Sequence, residues 1–238
     1  MPRPLAHVPL ERALSKLGIA SRTQAREWIL AGRLTVNGQV VRDPLLPVIP
    51  EKARILLDNQ PILREEKILI ALHKPKSCMT TRQDPQGRSI VYDYLGDLPQ
   101  LVIPVGRLDY ATSGLLLLTN DTRLADKLTD PRSGILRTYV VVLRGLAEET
   151  ALDRWRTGLD DAGERLQVAH VEARKRSGRE TTLIVQLTEG KNREIRRLAT
   201  AIGSEVLKLK RIAYGGVELG DLPPGKWRRV ELEELGLK

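Results

Sequence analysis

The stretch VGRLDYATSGLLLLTND (105–121) sets one carboxylate, Asp109, two residues after Arg107 and just ahead of Thr112-Ser113-Gly114 and the apolar run Leu115–Leu118. A carboxylate at the mouth of a buried strand is a structural cap, an ion-pair partner, or a group kept ionised for chemistry by a neighbouring cation. A second charged segment, LTEGKNREIRRL (187–198), carries Lys191, Arg193, Arg196 and Arg197 against only Glu189 and Glu194. Three-residue spacing puts Arg193 and Arg196 on a common helical face. One carboxylate and a knot of cations suit work on an anionic substrate.

Other chemistries find little support. Three histidines (His7, His73 and His170) lie far apart, and Cys78 is the single cysteine, so spaced zinc ligands are missing. No GxxxxGK[ST] or GxGxxG phosphate cradle occurs. A carboxylate-based glycosidase wants paired carboxylates, and Asp109 has only Asp121 nearby. Chemistry on side chains alone is therefore expected, with no metal and no cofactor. The chain has 39 Lys and Arg against 30 Asp and Glu, a formal charge of +9 that points to a polyanionic partner. No apolar run approaches the ~18 residues of a membrane span. The start, MPRPLAHVPLER, lacks an apolar core for a signal peptide. One cysteine fits a reducing compartment, and the expectation is a cytoplasmic protein.

Two blocks must position these residues, with a junction near Pro61–Glu66. In the first, Leu10, Leu14 and Leu17 form a helix face that stops at Gly18. Ser21 then caps a helix whose apolar face is Ala25, Trp28 and Ile29. Asn37-Gly38 turns a hairpin, and residues 53–58 make a strand closed by an Asn59-Gln60-Pro61 turn. The second block begins near Lys67. KILIALHK and GLLLLTN suit buried strands, and LRTYVVVLRG, RLQVAHVEARKR, RETTLIVQLTEG and EVLKLKRIAYGGVEL are strand-like. Helices are expected at 123–129, 150–158 and 192–202. The fold class is α+β: a small N-terminal α/β domain (8–62) and a larger domain (66–238) with a mixed, mainly antiparallel sheet flanked by helices.

The string SKLGIASRTQAREWILAGRLTVNGQVV (15–41) resembles the S-four-type RNA-binding domain, named after a small-subunit ribosomal protein. That resemblance makes Arg12, Lys16, Arg22, Arg26 and Arg33 phosphate contacts that fix position rather than sequence. GRLD…TSGLLLLTND resembles the signature of the RsuA/RluB-type pseudouridine synthases. Further blocks follow that family's order: HKPK (73–76), RTYVV (137–141), LTEGKNREIRRL and the RIAYGGVELGDLPPGKWR tail. The departures are Arg137, where lysine is common, and HKPKSCMTT, which lacks the glycine that often follows the proline.

The resemblance implies isomerisation of a specific uridine in ribosomal RNA, more in the large-subunit than the small-subunit branch. The partner is ribosomal RNA or a pre-ribosomal particle, and the chain acts as a monomer. A non-catalytic RNA-binding assembly factor is the alternative. By the same resemblance Asp109 is the catalytic carboxylate, acting as nucleophile or base, and Arg196 is its cationic partner. Tyr139 stacks on the extruded base, in a chain with no Phe, three Trp and only four other Tyr to replace it. Arg107 resembles the arginine that helps extrude the base; Lys191, Arg193 and Arg197 join the RNA contacts by their charge, and Lys74 is an RNA contact or scaffold.

Overall fold

The computed structural model describes residues 7–50, 52–62, 66–96, 98 and 101–236. Part of the expected junction, residues 63–65, lies outside the described residues, as do residues 1–6 of the start. The chain divides into two compact units, one of residues 1–68 with 97–103 and 119–125, the other of the remainder.

In the first unit, helices α1 (Leu10–Lys16) and α2 (Arg22–Leu30) lie where the leucine and Ala25/Ile29 spacing predicts. Ser21 caps α2 by accepting the Gln24 N–H at 3.2 Å. Strands β1 (Leu34–Val36) and β2 (Gln39–Val41) form the expected hairpin. Asn37 and Gly38 both take positive φ, 51° and 89°, as such a two-residue turn requires. β1 also pairs with β3 (Ile55–Leu57), which pairs with β4 (Gln60–Pro61). This second turn sits one residue earlier than expected. Asp58 and Asn59 hold the positive φ values, 49° and 63°, which frees Gln60 and Pro61 to pair with Leu57 and Leu56. Leu10, Leu14, Ile29 and Leu34 are fully buried together, each worth about 1.5–3 kcal/mol against exposure.

The second unit is built on a mixed, mainly antiparallel sheet. Its strands are β5 (Leu69–Lys74), β6 (Ser113–Thr119), β7 (Arg137–Arg144), β10 (His170–Arg176), β11 (Glu180–Leu187), β12 (Val206–Tyr214) and β13 (Trp227–Arg229), with the hairpin β8 (Leu159–Asp161) and β9 (Glu164–Leu166) beside it. The order is β10-β11-β7-β12-β6-β5-β13. The pairs β10–β11, β11–β7, β7–β12 and β5–β13 are antiparallel. β12 and β6 are parallel, with Lys210 opposite Ser113 and Arg211 opposite Gly114. β5 and β6, the two dense apolar runs, are buried almost throughout. β11 instead alternates, burying Thr181, Leu183, Val185 and Leu187.

Helices α3 (Thr122–Thr129), α4 (Glu149–Thr157) and α5 (Glu194–Ala201) complete the set. The buried Trp155 of α4 donates its indole N–H to Leu198 O of α5 at 3.1 Å. Two expectations shift. RLQVAHVEARKR splits into β9 and β10, because Val168 N–H bonds Trp155 O and the Gln167 side chain bonds Arg156 O, drawing residues 167–168 away from strand pairing. α5 begins at Glu194 rather than Asn192, because Arg193 adopts a left-handed conformation (φ 50°) at its N-cap. No helix of the described residues is long and apolar enough to cross a membrane.

Candidate active site

Asp109 stands in the loop that leads into β6, and the HKPKSCMTT segment clamps that loop from behind. Lys74 is fully buried, and its ammonium donates to Asp109 O at 3.1 Å, Thr112 O at 2.8 Å and Pro75 O at 3.1 Å. Thr80 Oγ1 donates to Leu108 O at 2.8 Å and accepts from the Leu108 N–H at 3.3 Å. Ser77 N–H donates to Tyr110 O at 2.8 Å, and Thr112 N–H closes the loop onto Asp109 O at 3.0 Å. Burial pulls the Lys74 ammonium down to about 8, against the charges of Cys78 and Asp109, which favour its protonation. Gly114 follows, at φ 107°, where a Cβ would stand 2.1 Å from Arg211 O. Only glycine lets β6 approach β12 this closely, which accounts for Gly114 directly after Thr112 and Ser113.

The side chain of Asp109 is 40% exposed and faces a hollow of about 90 Å³ whose walls include Tyr139, Arg193, Glu194 and Arg196. Arg193 Nη1 is 3.8 Å from Asp109 Oδ2. Arg196 donates Nη1 to Val206 O at 3.3 Å, and its buried Nε has no partner among the described residues. Burial and the charge of Arg193 lower the Arg196 pKa, while the charge of Asp109 opposes them. The carboxylate is therefore flanked by two guanidiniums, one exposed and one partly sheltered. Tyr139 is buried in β7, opposite Val185 and Arg211, and its hydroxyl makes no hydrogen bond among the described residues. Leu187 and Leu209 add apolar wall. The arrangement offers a carboxylate beside cations, with a ring against which a flat group can lie.

Residues 68–201 match the family model described as RNA pseudouridylate synthase, more than half of the chain. The chain belongs to this family. Residues 8–48 match the S4 domain model. An uncharacterized RNA pseudouridine synthase of Aquifex aeolicus is 36% identical over 97% of this chain and 93% of its own length. The ribosomal large subunit pseudouridine synthase B of Bacillus subtilis is 37% identical over 95% of this chain and 93% of its own. A solved structure described as that of a pseudouridylate synthase shares the fold, with a TM-score of 0.67, 24% identity and coverage of 97% and 99% of the two chains.

Among the residues singled out from sequence, Asp109, Tyr139, Arg196, Arg193, Lys191 and Arg107 line the one hollow. Four expectations need correction. Of its two expected roles Lys74 takes that of scaffold and not of RNA contact, because it is fully buried and bonded to three carbonyls. Arg197 is committed to the β8–β9 hairpin, donating to Asp161 Oδ2 and Glu164 Oε2, each at 2.5 Å, and to Asp161 O at 2.7 Å. Arg193 and Arg196 do not share a helical face, because Arg193 precedes the helix. The ion pair within 4 Å of Asp109 is made by Arg193, not by Arg196. Lys191 has its ammonium on Glu189 Oε1 and Arg165 O.

In the N-terminal unit, Arg33 Nε lies 3.0 and 3.1 Å from the Asp58 carboxylate oxygens, and Arg26 pairs with Glu11 at 3.6 Å. Arg12, Lys16 and Arg22 have no ion-pair partner among the described residues. Sequence reasoning missed Glu194, which is 3% exposed within the hollow. Its Oε2 accepts the Lys191 N–H at 3.2 Å, and its Oε1 has no partner among the described residues. Burial, together with the charge of Glu189, pushes this carboxyl up to about 7, against the Lys191 N–H. Its only trace in the sequence is an acid within an otherwise basic run.

Proposed function

We propose that the chain converts one uridine of large-subunit ribosomal RNA to pseudouridine, acting as a monomer in the cytoplasm on the RNA or a pre-ribosomal particle. Residues 8–62 serve as the RNA-binding domain and residues 66–238 as the catalytic domain. The observation that carries this reading is the convergence of Asp109, Tyr139, Arg193 and Arg196 on one hollow, in a chain of this family with a large-subunit synthase among its relatives.

Pseudouridylation breaks the C1′–N1 bond, turns the uracil, and joins C1′ to C5. Asp109 acts on the ribose, as nucleophile at C1′ or as base, while C1′ is electron-poor. Arg193 and Arg196 hold its charge in place. Flipping the uridine out of its stack costs a few kcal/mol, and the Tyr139 ring recovers part of this by stacking. The proton lost from C5 is balanced by the one gained at N1, and the Tyr139 hydroxyl, without a hydrogen bond among the described residues, relays it by giving up its own proton as it accepts.

The test is pseudouridine formation in large-subunit RNA transcripts by the purified chain and by Asp109→Asn. The wild type should form one product site and the variant none, with RNA affinity little changed because the substitution removes charge but little volume. Turnover by the variant, without deamidation back to aspartate, would overturn the assignment.

A further inference from the structure

A second, larger hollow of about 270 Å³ borders the first and shares Arg107, Tyr139, Gly190 and Lys191 with it. Two buried guanidiniums line it, Arg137 at 6% and Arg211 at 2% exposure. They flank the Tyr214 ring, with guanidinium carbons 5.0 and 5.1 Å from its centroid. Neither has a carboxylate partner among the described residues. Arg137 donates to four neutral acceptors: Thr188 O at 2.5 Å, Ile135 O at 3.4 Å, Leu128 O at 3.2 Å and Tyr214 Oη at 3.1 Å. Arg211 is less well met. Its Nε donates to Leu115 O at 2.7 Å, but its buried Nη2 has no acceptor among the described residues. The acid in this lining, Glu189, is neutralised by Lys191. Exposed Arg107 lines the same hollow without an ion-pair partner among the described residues.

Burying a charge without a counter-ion is expensive, and carbonyl dipoles and a ring face compensate it only in part. This hollow holds two such charges and an unmet donor beside a site that takes an anionic polymer. We propose that the hollow seats a backbone phosphate adjoining the target uridine, with Arg211 and Arg107 as its donors. The proposal rests on the reading of the first hollow as the uridine site. A phosphate fits better than a base, because the lining offers spare donors and positive charge but no unpaired carboxylate. Seated there, the phosphate fixes how far the extruded uridine can reach toward Asp109, which is a positioning role.

Two experiments on the full chain test this. In the first, inorganic phosphate is titrated at constant ionic strength while the melting temperature is followed. The wild type should gain more than it does in chloride, and Arg107→Gln and Arg211→Lys should each gain less. Equal gains in all three proteins would overturn the proposal. This readout needs no turnover, so it stands apart from the pseudouridylation assignment, which product formation on unmodified RNA reads separately.

In the second, one linkage flanking the target uridine is replaced by a neutral methylphosphonate, which keeps the base and removes the charge. Binding to wild type should weaken about tenfold or more for one of the two flanking linkages, the size of a charge-assisted hydrogen bond. The same replacement should matter much less to Arg107→Gln, whose exposed position makes misfolding no concern, and to Arg211→Lys. Unchanged wild-type affinity for both neutral linkages would overturn the proposal, as would equal losses in wild type and both variants.

Discussion

The two basic regions of this protein handle positive charge in opposite ways. On and beside the N-terminal helices the cations stand largely in solvent. Arg26 and Arg33 are paired with Glu11 and Asp58, while Arg12, Lys16 and Arg22 have no ion-pair partner among the described residues. Around Asp109, apart from the exposed Arg193 and Arg107, the cations are sheltered and tied to carbonyls: Lys74 to three, Arg196 to Val206 O, Arg211 to Leu115 O. Exposed charges interact weakly and over a distance set by salt, so they suit non-specific attraction to a phosphate chain. Buried charges are costly to place and hard to move, so they hold geometry. The same residue types thus suit affinity in one region and precision in the other.

Lys74→Met breaks the second region most severely. It leaves the carbonyls of Pro75, Asp109 and Thr112 without their shared donor, and a stability loss of about 3 kcal/mol is expected in denaturant titration. Turnover by the folded fraction should drop about a hundredfold, since small misplacement of a reacting group has that effect. Near-normal turnover would mean that the Asp109 loop is held by Thr80 and Ser77 alone. Next in size is Tyr139→Leu, expected to weaken binding about tenfold through loss of stacking, with turnover reduced as well. Tyr139→Phe should bind normally and release product slowly. A leucine variant that binds and turns over like wild type would leave Tyr139 as a core residue only.

Much of this was legible because the signals are local. Asn37-Gly38 announced its hairpin, Ser21 its helix, and the GRLD…TSG string placed Asp109 before a buried strand. The pairings that sort the cations are not local. Arg33 meets Asp58 across 25 residues, Arg197 meets Glu164 across 33, and Lys74 meets Asp109 across 35, so no spacing rule separates the committed charges from the available ones. Helical spacing also misled at Arg193, whose left-handed φ at the N-cap delays the start of the helix to Glu194. The missing glycine of the HKPKSCMTT segment leaves a strained position that the sequence alone did not mark. Ser77 holds φ 58°, a left-handed conformation that costs a residue with a side chain roughly 1–2 kcal/mol.

Smaller effects sharpen the comparison. In the folded chain the Glu194 carboxyl binds its proton up to about pH 7, whereas in the unfolded chain it loses it near 4.5. Between those values the folded state holds the extra proton, so stability should fall as pH rises from 4.5 to 7, by on the order of 3 kcal/mol. Denaturant titrations at pH 5 and pH 8 check this, and Glu194→Gln should remove that part of the slope. An identical pH dependence in the variant would mean that the carboxyl is ionised throughout. The smallest effects belong to the N-terminal cations. Replacing Arg12, Lys16 and Arg22 together by glutamine should reduce the slope of log affinity against log salt by roughly 0.7–0.9 for each phosphate they neutralise. Arg33→Gln should change it less, because Asp58 already holds that charge. Equal changes per residue would erase the distinction between paired and available charge.

The most direct measurement is a map of pseudouridine across ribosomal RNA from cells with the gene, without it, and without it but supplied with either wild type or Asp109→Asn. The account predicts that one large-subunit site disappears with the gene, returns with the wild type and stays absent with the variant. An unchanged map, or a site restored by Asp109→Asn, would contradict it.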